Sequence, residues 1–210
     1  MNQPAASALA GRLLAAWILC LVLAGCTPPP ELEPLAADAV VLAFGDSLTF
    51  GTGAGPGESY PEVLSGLIGR TVVNAGVPGE VSTDGLLRLH ALLDREQPAL
   101  LLLCHGGTDQ LQRLDPNRLA DNLRAMIREA RDRNIAVVLI AVPAPGLSLR
   151  PLPLYAGIAD EFGLAADLET VADILGDRAL KSDYIHPNAA GYRRLALAVA
   201  DLLRAAGAVP

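Results

Sequence analysis

The stretch Val40–Leu48, VVLAFGDSL, joins five apolar residues to a Gly-Asp-Ser turn. A short continuous apolar run that ends at a glycine is typical of a parallel strand buried on both faces. Ser47 therefore follows the carboxyl end of a strand, which is the edge where open α/β sheets bind ligands. This stretch predicts an α/β fold and places a serine hydroxyl at its ligand-binding edge.

Three further apolar runs, Val72–Ala75, Leu100–Cys104 and Val137–Ala141, repeat this pattern, and we expect all four runs to be central strands. A weaker fifth strand is predicted at Ala165–Leu168. Segments with helical spacing separate them, the clearest being the stripe that follows Asp115-Pro116, namely Leu119, Leu123, Met126, Ile127 and Ala130. Strand alternating with helix predicts a three-layer α/β sandwich with a five-stranded parallel sheet and right-handed crossovers.

The N-terminus has the pattern of a signal peptide. One basic residue, Arg12, precedes the apolar run Leu13–Ala24, which is too short for a membrane span. The ending Leu23–Cys26 resembles a bacterial lipobox, so residues 1–25 are predicted to be removed and Cys26 to be lipidated; an ordinary secretory signal is the alternative. Residues 26–38 then form the lipidated cysteine and a proline-rich tether, and residues 39–210 the folded domain.

Charge and cysteine content narrow the class of protein. The 210 residues carry a formal charge of −7, which becomes −8 once Arg12 is removed. This acidic balance argues against binding to nucleic acid or to anionic lipid through charge. Cys20 lies in the removed segment and Cys26 is predicted to carry lipid, so Cys104 alone remains and no intrachain disulfide is possible.

Polar residues follow the ends of the predicted strands. Ser47 follows the first strand. Gly79 follows the second, in a segment called here the second block (Val73–Glu80), and Thr108 follows the third, in the third block (Gly106–Asp109). Asp183 and His186 come after the last strand. Because the carboxyl ends of parallel strands share one edge, we expect these residues to lie on one rim. Ester hydrolysis through a serine needs a nucleophile, a base, an acid that orients the base, and donors for the oxyanion, and this rim contains candidates for each.

Three histidines are candidate bases for Ser47. His90 lies on the leucine stripe of a predicted helix, where a packed or half-exposed structural role is expected. His105 has no neighbours at metal-ligand spacing and is also expected to be structural. His186 follows Asp183 by three residues, so one turn brings the carboxylate to the imidazole, and we expect His186 to be the base.

The segments Phe44–Thr49 and Asp183–Tyr192 together resemble the GDSL or SGNH hydrolase family. Gly51–Pro61 and Val73–Glu80 resemble its bacterial branch of arylesterases, thioesterases and lysophospholipases. The resemblance runs from about residue 38 to the C-terminus. It implies the flavodoxin-like sandwich and a serine esterase that needs no metal and no cofactor.

The resemblance also implies roles for individual residues. Ser47 is the nucleophile, His186 the base and Asp183 its partner, and the oxyanion donors are the backbone N–H groups of Ser47 and Gly79 with a side chain from the third block. In the family this side chain is usually an asparagine, but here Thr108 stands at that position. A hydroxyl has a single proton to donate, and loss of an oxyanion donor costs about 2.7 to 4 kcal/mol, so we expect reduced activity.

Several neighbouring residues are expected to be structural. Asp46 ties down the turn before Ser47, Asn74 and Glu80 shape the turns of the second block, and Cys104 is a small core residue. The apolar segment Pro143–Leu154 leaves the fourth strand at the same rim. Two interpretations stay open for it: the wall of an acyl pocket, or a proline-stiffened connection.

These patterns predict a serine esterase that hydrolyses aryl or acyl esters, including lysophospholipids or thioesters, through an acyl-enzyme. Two alternatives remain: an O-deacetylase of envelope polysaccharide, and a non-catalytic ligand-binding lipoprotein of the same fold. Similarity to bacterial lipoproteins implies an anchor at Cys26. Because Thr27, not aspartate, follows that cysteine, the expected location is the outer membrane, facing the periplasm.

Overall fold

The computed structural model describes residues 30–146 and 149–210. Within them, five parallel strands form one sheet in the order β2-β1-β3-β4-β5. Their bounds are β1 Val40–Gly45, β2 Thr71–Gly76, β3 Leu100–Cys104, β4 Ala136–Ile140 and β5 Ala165–Asp167. This is the flavodoxin-like strand order, so the predicted α/β sandwich with a five-stranded parallel sheet is confirmed.

Helices cover both faces of the sheet. The described residues form α1 Ser47–Phe50, α2 Tyr60–Ile68, α3 Ser82–Glu96, α4 Gly107–Leu111, α5 Pro116–Arg131, α6 Pro153–Phe162, α7 Thr170–Gly176 and α8 Ala189–Ala205. Helices α2, α7 and α8 pack together in one layer, and α3, α5 and α6 in the other. The predicted stripe of α5 is buried against the sheet, and the Asp115 side chain accepts a hydrogen bond from Asn117 N–H and caps that helix.

The second strand differs from its prediction. We expected a central strand buried on both faces, but β2 lies at the edge of the sheet and pairs with β1 alone. Its residues are half-buried or exposed, and Asn74 is exposed. An apolar run shows that a strand is covered, but it does not show whether a second strand flanks it. The fifth strand, β5, is the other edge.

Gly45 allows β1 to end close to its neighbours. It pairs with Gly76 of β2 and with Cys104 of β3. A Cβ atom at Gly45 would lie 1.9 Å from the Cys104 carbonyl oxygen, so no other residue fits there. The turn that carries Ser47 can therefore start between two strand ends. Cys104 itself is fully buried in the core, as predicted, and burial raises its thiol pKa well above the usual value.

The segment before β1 packs against the C-terminus. Leu32 N–H donates to the Ala206 carbonyl and Leu35 N–H to the Ala208 carbonyl, both at 2.8 Å. Arg70 Nη2 donates to the Leu35 carbonyl at 3.0 Å. This part of the predicted tether is therefore docked on the domain. The domain division itself stays a prediction, because residues 1–29, including the signal segment and Cys26, lie outside the described residues.

No helix within residues 30–146 and 149–210 is both long enough and apolar enough to cross a bilayer.

Candidate active site

Ser47 is the first residue of α1 and follows β1 directly. The Asp46 side chain caps this helix, with its Oδ1 accepting a hydrogen bond from Leu48 N–H at 3.1 Å. The turn lies between β1 and β3, where the strand order of the sheet reverses, and flavodoxin-like folds bind their ligands at this point. Local capping and strand order thus bring the Ser47 hydroxyl to the binding edge.

A chain of hydrogen bonds joins Ser47 to His186 and Asp183. Ser47 Oγ lies 3.0 Å from His186 Nε2, and His186 Nδ1 lies 2.8 Å from Asp183 Oδ2. An ionised carboxylate only accepts hydrogen bonds, so the proton of a neutral imidazole is on Nδ1. His186 Nε2 is then free to accept the proton of the serine hydroxyl.

Asp183 is held in place by the turn that it begins. Its Oδ1 accepts hydrogen bonds from the backbone N–H groups of Ile185 and His186, each at 2.8 Å. Partial burial alone raises the pKa of Asp183, but the hydrogen bonds from the His186 ring and these two N–H groups outweigh it, so its pKa lies below the usual value. The carboxylate therefore stays ionised beside His186.

Asp46 also binds the loop that follows β3. Its Oδ2 accepts hydrogen bonds from Gly107 N–H at 2.9 Å and from Thr108 N–H at 3.3 Å. The side chain is buried, and burial raises its pKa, although His105 and the three backbone donors act in the opposite direction. One carboxylate thus joins the loop of Ser47 to the loop of Thr108. This fits the prediction that Asp46 is structural.

Thr108 lies in the first turn of α4 and is almost fully buried. Its hydroxyl makes no hydrogen bond with any residue in the described ranges, whereas its backbone N–H is taken by Asp46. The hydroxyl is therefore available to a ligand. Within the described residues, no hydrogen bond joins Thr108 to Ser47 or to His186.

The loop after β2 forms a type II turn over Val77–Glu80. Glu80 N–H donates to the Val77 carbonyl at 3.2 Å, Pro78 occupies the second position, and Gly79 has a φ of +79°, which this turn requires. Val77 N–H donates to the Gly45 carbonyl, which ties the turn to the end of β1. Gly79 is exposed, and its N–H has no partner among the described residues.

A cavity of about 390 Å³ opens at this edge and includes both Ser47 and His186 in its wall. The rest of the wall is mostly apolar, with Leu111, Val142 and Leu149 among its side chains. Pro143, Pro145 and Gly146 also line it. Of the two interpretations of Pro143–Leu154, this position favours a pocket wall for its first part, while residues 147 and 148 lie outside the described residues.

Neither of the other two histidines lines the cavity. His90 is 65% exposed, more than the packed or half-exposed position that we expected, and it contacts Glu129 and Asp94. His105 is fully buried, with its Nε2 lying 3.1 Å from Glu80 Oε2. In the described part of the chain, no three His, Cys, Asp or Glu side chains are grouped as they are in a metal site.

One structural contact at this edge was missing from the sequence interpretation. Asp109, next to Thr108, accepts hydrogen bonds from the backbone N–H and the hydroxyl of Ser82, at 2.8 and 2.5 Å. Ser82 starts α3, so this pair joins the first residue of that helix to the loop that follows β3. The sequence offers Asp109 as a signal, but its partner Ser82 lies 27 residues earlier, and no pattern of neighbouring residues identifies it.

The comparisons with known proteins agree with this fold. Residues 43–194 match the model of the GDSL-like lipase/acylhydrolase family. Esterase TesA of Pseudomonas aeruginosa is 31% identical over 83% of this chain and 92% of its own length. Thioesterase 1/protease 1/lysophospholipase L1 of Escherichia coli is 29% identical over 73% of this chain and 77% of its own.

Solved structures give the same result. A crystal structure of TesA has a TM-score of 0.72 at 28% identity and covers 80% of this chain and 99% of the other. AlinE4, an SGNH-hydrolase family esterase, has a TM-score of 0.59 at 28% identity, with 81% and 97% covered. The fold and the Ser47, His186 and Asp183 arrangement define a serine hydrolase. The chain belongs to the GDSL-like lipase/acylhydrolase family and is a carboxylic ester hydrolase.

Proposed function

We propose that Ser47 is the nucleophile of this ester hydrolase, with His186 as its base and Asp183 as the partner of that base. The observation that carries the proposal is the unbroken chain of hydrogen bonds from Ser47 Oγ through the imidazole to the Asp183 carboxylate. Ser47 and His186 line the cavity at the carboxyl edge of the sheet, and Asp183 lies behind His186. The geometry is that of a nucleophile, a base and an orienting acid.

The reaction follows from these positions. His186 Nε2 takes the proton of Ser47 as Oγ bonds to the ester carbonyl carbon, and the carbonyl oxygen becomes an oxyanion. The imidazolium then gives this proton to the leaving alcohol as its bond to carbon breaks, which leaves an acyl-serine. Water, deprotonated by the same nitrogen, then bonds to the acyl carbon. The imidazolium returns the proton to Ser47 Oγ as the bond from Oγ to that carbon breaks, which releases the acid and restores Ser47. Asp183 stabilises the charged imidazolium in both halves of the reaction.

Three groups are proposed to bind the oxyanion: the backbone N–H of Ser47, the backbone N–H of Gly79 and the hydroxyl of Thr108. Ser47 N–H belongs to the first residue of a helix, and such N–H groups have no intrahelical partner. The Gly79 N–H and the Thr108 hydroxyl are likewise free of hydrogen bonds to the described residues. Donors set in place before the reaction stabilise charge as it forms, without having to reorganise.

The cavity supports an ester with an apolar acyl or aryl group. Its wall beyond Ser47 is built mainly from leucine, valine and proline, which favours hydrocarbon over sugar. The names of the relatives add thioesters and lysophospholipids to the substrates worth testing. A deacetylase of envelope polysaccharide is the alternative within the same chemistry, and a non-catalytic lipoprotein is favoured only by threonine at position 108.

A panel of nitrophenyl esters of increasing acyl length tests this proposal, together with labelling by a fluorophosphonate. We expect kcat/KM to rise beyond acetate, and the label to be found on Ser47. Ser47→Ala should be unlabelled and inactive, whereas Ser65→Ala, on α2 away from the cavity, serves as a control that keeps both properties. Labelling of another serine, or turnover by Ser47→Ala, would contradict the assignment. Activity confined to acetyl esters would favour the deacetylase.

We also propose that Cys26 carries a lipid that anchors the chain to the cell envelope, facing the periplasm from the outer membrane. Leu32 and Leu35 are docked on the domain, and three residues, Thr27–Pro29, separate Cys26 from the described part of the chain. The four peptide units from Cys26 to Pro30 span at most about 14 Å. The docked segment lines a shared cavity with Ala99, Ala136 and Ala165, where β3, β4 and β5 begin, so it lies at the sheet edge opposite the one that carries Ser47.

On this proposal the cavity faces away from the anchoring bilayer. The proposed substrate therefore comes from the periplasmic space and not from the lipid in which the chain is anchored. Cys26→Ser should prevent lipoprotein maturation and release the protein from the membrane fraction. A mature protein with an unmodified N-terminus, or one cleaved elsewhere, would contradict the anchor without affecting the esterase assignment.

A further inference from the structure

The turn that carries Gly79 is anchored to the protein interior by the side chain of its last residue, Glu80. Glu80 closes the turn through its backbone N–H, while its carboxylate points into the protein and is buried. A peptide group in a turn rotates when the residues on either side move. The direction of the Gly79 N–H therefore depends on where the Glu80 carboxylate is fixed.

Two side chains fix that carboxylate. Arg88 of α3 binds it in a bidentate manner: Nε donates to Oε1 at 2.5 Å, and Nη2 donates to Oε2 at 2.7 Å. The same guanidinium donates to the Ala75 carbonyl at 2.8 Å and stacks 4.2 Å above the Phe44 ring. The second partner is His105, whose Nε2 lies 3.1 Å from Oε2. Burial raises the pKa of Glu80, but the hydrogen bonds from His105 and Arg88 together outweigh it, and the pKa is lowered.

His105 is the link to the next loop. It follows β3 directly, is fully buried, and is the residue before the Gly106–Thr108 segment that carries the third proposed donor. Its carbonyl accepts a hydrogen bond from Tyr155 Oη at 2.9 Å, so its backbone is held as well. Its Nδ1 is buried without a partner among the described residues, which leaves the contact with Glu80 as the polar anchor of the ring.

The packing around this pair leaves no spare room. A Cβ atom at Gly85 of α3 would lie 2.4 Å from His105 Nε2 and 3.2 Å from Glu80 Oε2. A glycine at this position lets α3 approach both side chains. The pair is thus enclosed by the helix on one side and the Phe44 ring on another, the ring centroids of Phe44 and His105 being 5.8 Å apart.

We propose that the buried hydrogen bond between His105 and Glu80 sets the distance and angle between the Gly79 N–H and the Thr108 hydroxyl. The two residues act as positioning residues for the oxyanion site, since neither lines the cavity. The inference rests on the proposed function, because it assumes that these donors bind the oxyanion. Asp46 fixes the loop of Thr108 relative to Ser47, and this bond fixes the turn of Gly79 relative to the same loop.

The experiment compares His105→Leu, which removes the hydrogen bond, with His105→Gln, whose amide can donate from a similar reach. His90→Gln removes an exposed histidine and is the matched control. For each variant, kcat and KM are measured on one neutral short-chain ester. The affinity of an alkyl boronic acid, which forms a tetrahedral adduct on the serine, is measured with the affinity of the carboxylic acid product. A misplaced donor acts mainly in the tetrahedral state.

We expect His105→Leu to lower kcat and the boronate affinity about tenfold, less than the 10² to 10³ for loss of a whole donor. KM and product affinity should change less than about twofold, and His105→Gln should recover most of the loss. Glu80→Gln provides the same comparison from the other partner should His105→Leu fail to fold. Unchanged kcat and boronate affinity in soluble His105→Leu and Glu80→Gln overturn the inference, whatever their thermal stability. An inactive wild type, or an active Ser47→Ala, would instead overturn the proposed function.

Discussion

Ser47 Oγ lies 3.0 Å from His186 Nε2, although 139 positions separate the two residues in the chain. The first residue is placed by the end of β1 and the second by the turn before α8, so the contact forms only when the whole sheet is assembled. His186 is less than one-fifth exposed, whereas the Asp183 side chain behind it is half exposed. The acid is therefore kept in place by its turn and not by burial.

Asp183 and His186 are expected to act as a unit. Asp183→Ala should lower kcat by about four orders of magnitude, and His186→Ala should lower it by about six. The double variant should lose little more than His186→Ala alone, because Asp183 acts only through the imidazole. Single-turnover kinetics on a nitrophenyl ester measure all three. Asp173→Ala, which removes an exposed carboxylate on α7, is the control. Multiplicative losses in the double variant would show that Asp183 acts elsewhere.

Asp46→Asn tests the carboxylate that joins the loops of Ser47 and Thr108. Oδ1 and Oδ2 of Asp46 both accept backbone N–H groups, so an amide nitrogen on either side would face a donor. We expect a loss of about 1 to 3 kcal/mol in the free energy of unfolding, together with a lower kcat. Urea unfolding and steady-state kinetics measure the two effects. The exposed Asp84 of α3 supplies the control Asp84→Asn, and equal behaviour of the two variants would refute the role of Asp46.

Glu80→Gln should have an effect on stability that depends on pH. The pKa of Glu80 is lowered below 4.5 in the folded protein, so the ionised form stabilises the fold above the unfolded value. That contribution is lost as the pH falls through the folded pKa. We expect the wild type to exceed Glu80→Gln in free energy of unfolding by a constant amount near neutral pH, and the difference to shrink below about pH 4.5. Urea titrations from pH 3 to pH 7 measure it, and a difference that grows on acidification would contradict the prediction.

Much of this site could be predicted because its parts are local. An apolar run followed by Gly45-Asp46-Ser47 predicts a strand end, and Asp183 three residues before His186 predicts one turn. Both features are read from neighbouring residues. The α/β sandwich with a parallel sheet follows from the alternation of such runs with helical stripes, which again needs no long-range information.

The contacts that the sequence did not predict are those between loops of different strands. Glu80 meets His105, and Ser82 meets Asp109, because β1 lies between β2 and β3 and brings their ends together. No spacing along the chain encodes this meeting. The edge position of β2 was missed for the same reason. Proline-rich composition near Leu32 suggests an extended chain, but composition does not tell a free tether from a docked one.

The docked segment before β1 should contribute to stability. A chain that begins at residue 30 keeps Leu32 and Leu35, whereas a chain that begins at residue 37 loses both hydrogen bonds to the C-terminus and the buried Leu35 side chain. We expect the shorter chain to unfold at lower urea, with a loss of about 1 to 3 kcal/mol. A chain that begins at residue 27 is the control, and its free energy of unfolding should match that of the chain from residue 30. Equal stability of all three would show that the segment behaves as a free tether.

Thr108 is where this chain departs from the usual asparagine of its family, and the last prediction concerns the reaction rate at that position. Thr108 is nearly buried and follows Gly107, which lines the cavity. Its hydroxyl makes no hydrogen bond to the described residues, so it is available to an oxyanion but reaches less far than an amide. Thr108→Asn should raise kcat and leave KM nearly unchanged, since the donor acts on the tetrahedral state, while Thr108→Val should lower kcat. Steady-state kinetics of the three proteins on one short-chain ester decide the matter. Unchanged kinetics in Thr108→Val would exclude the hydroxyl as a donor, and a lower kcat in Thr108→Asn would mean that the Asp46-bound loop is shaped for threonine.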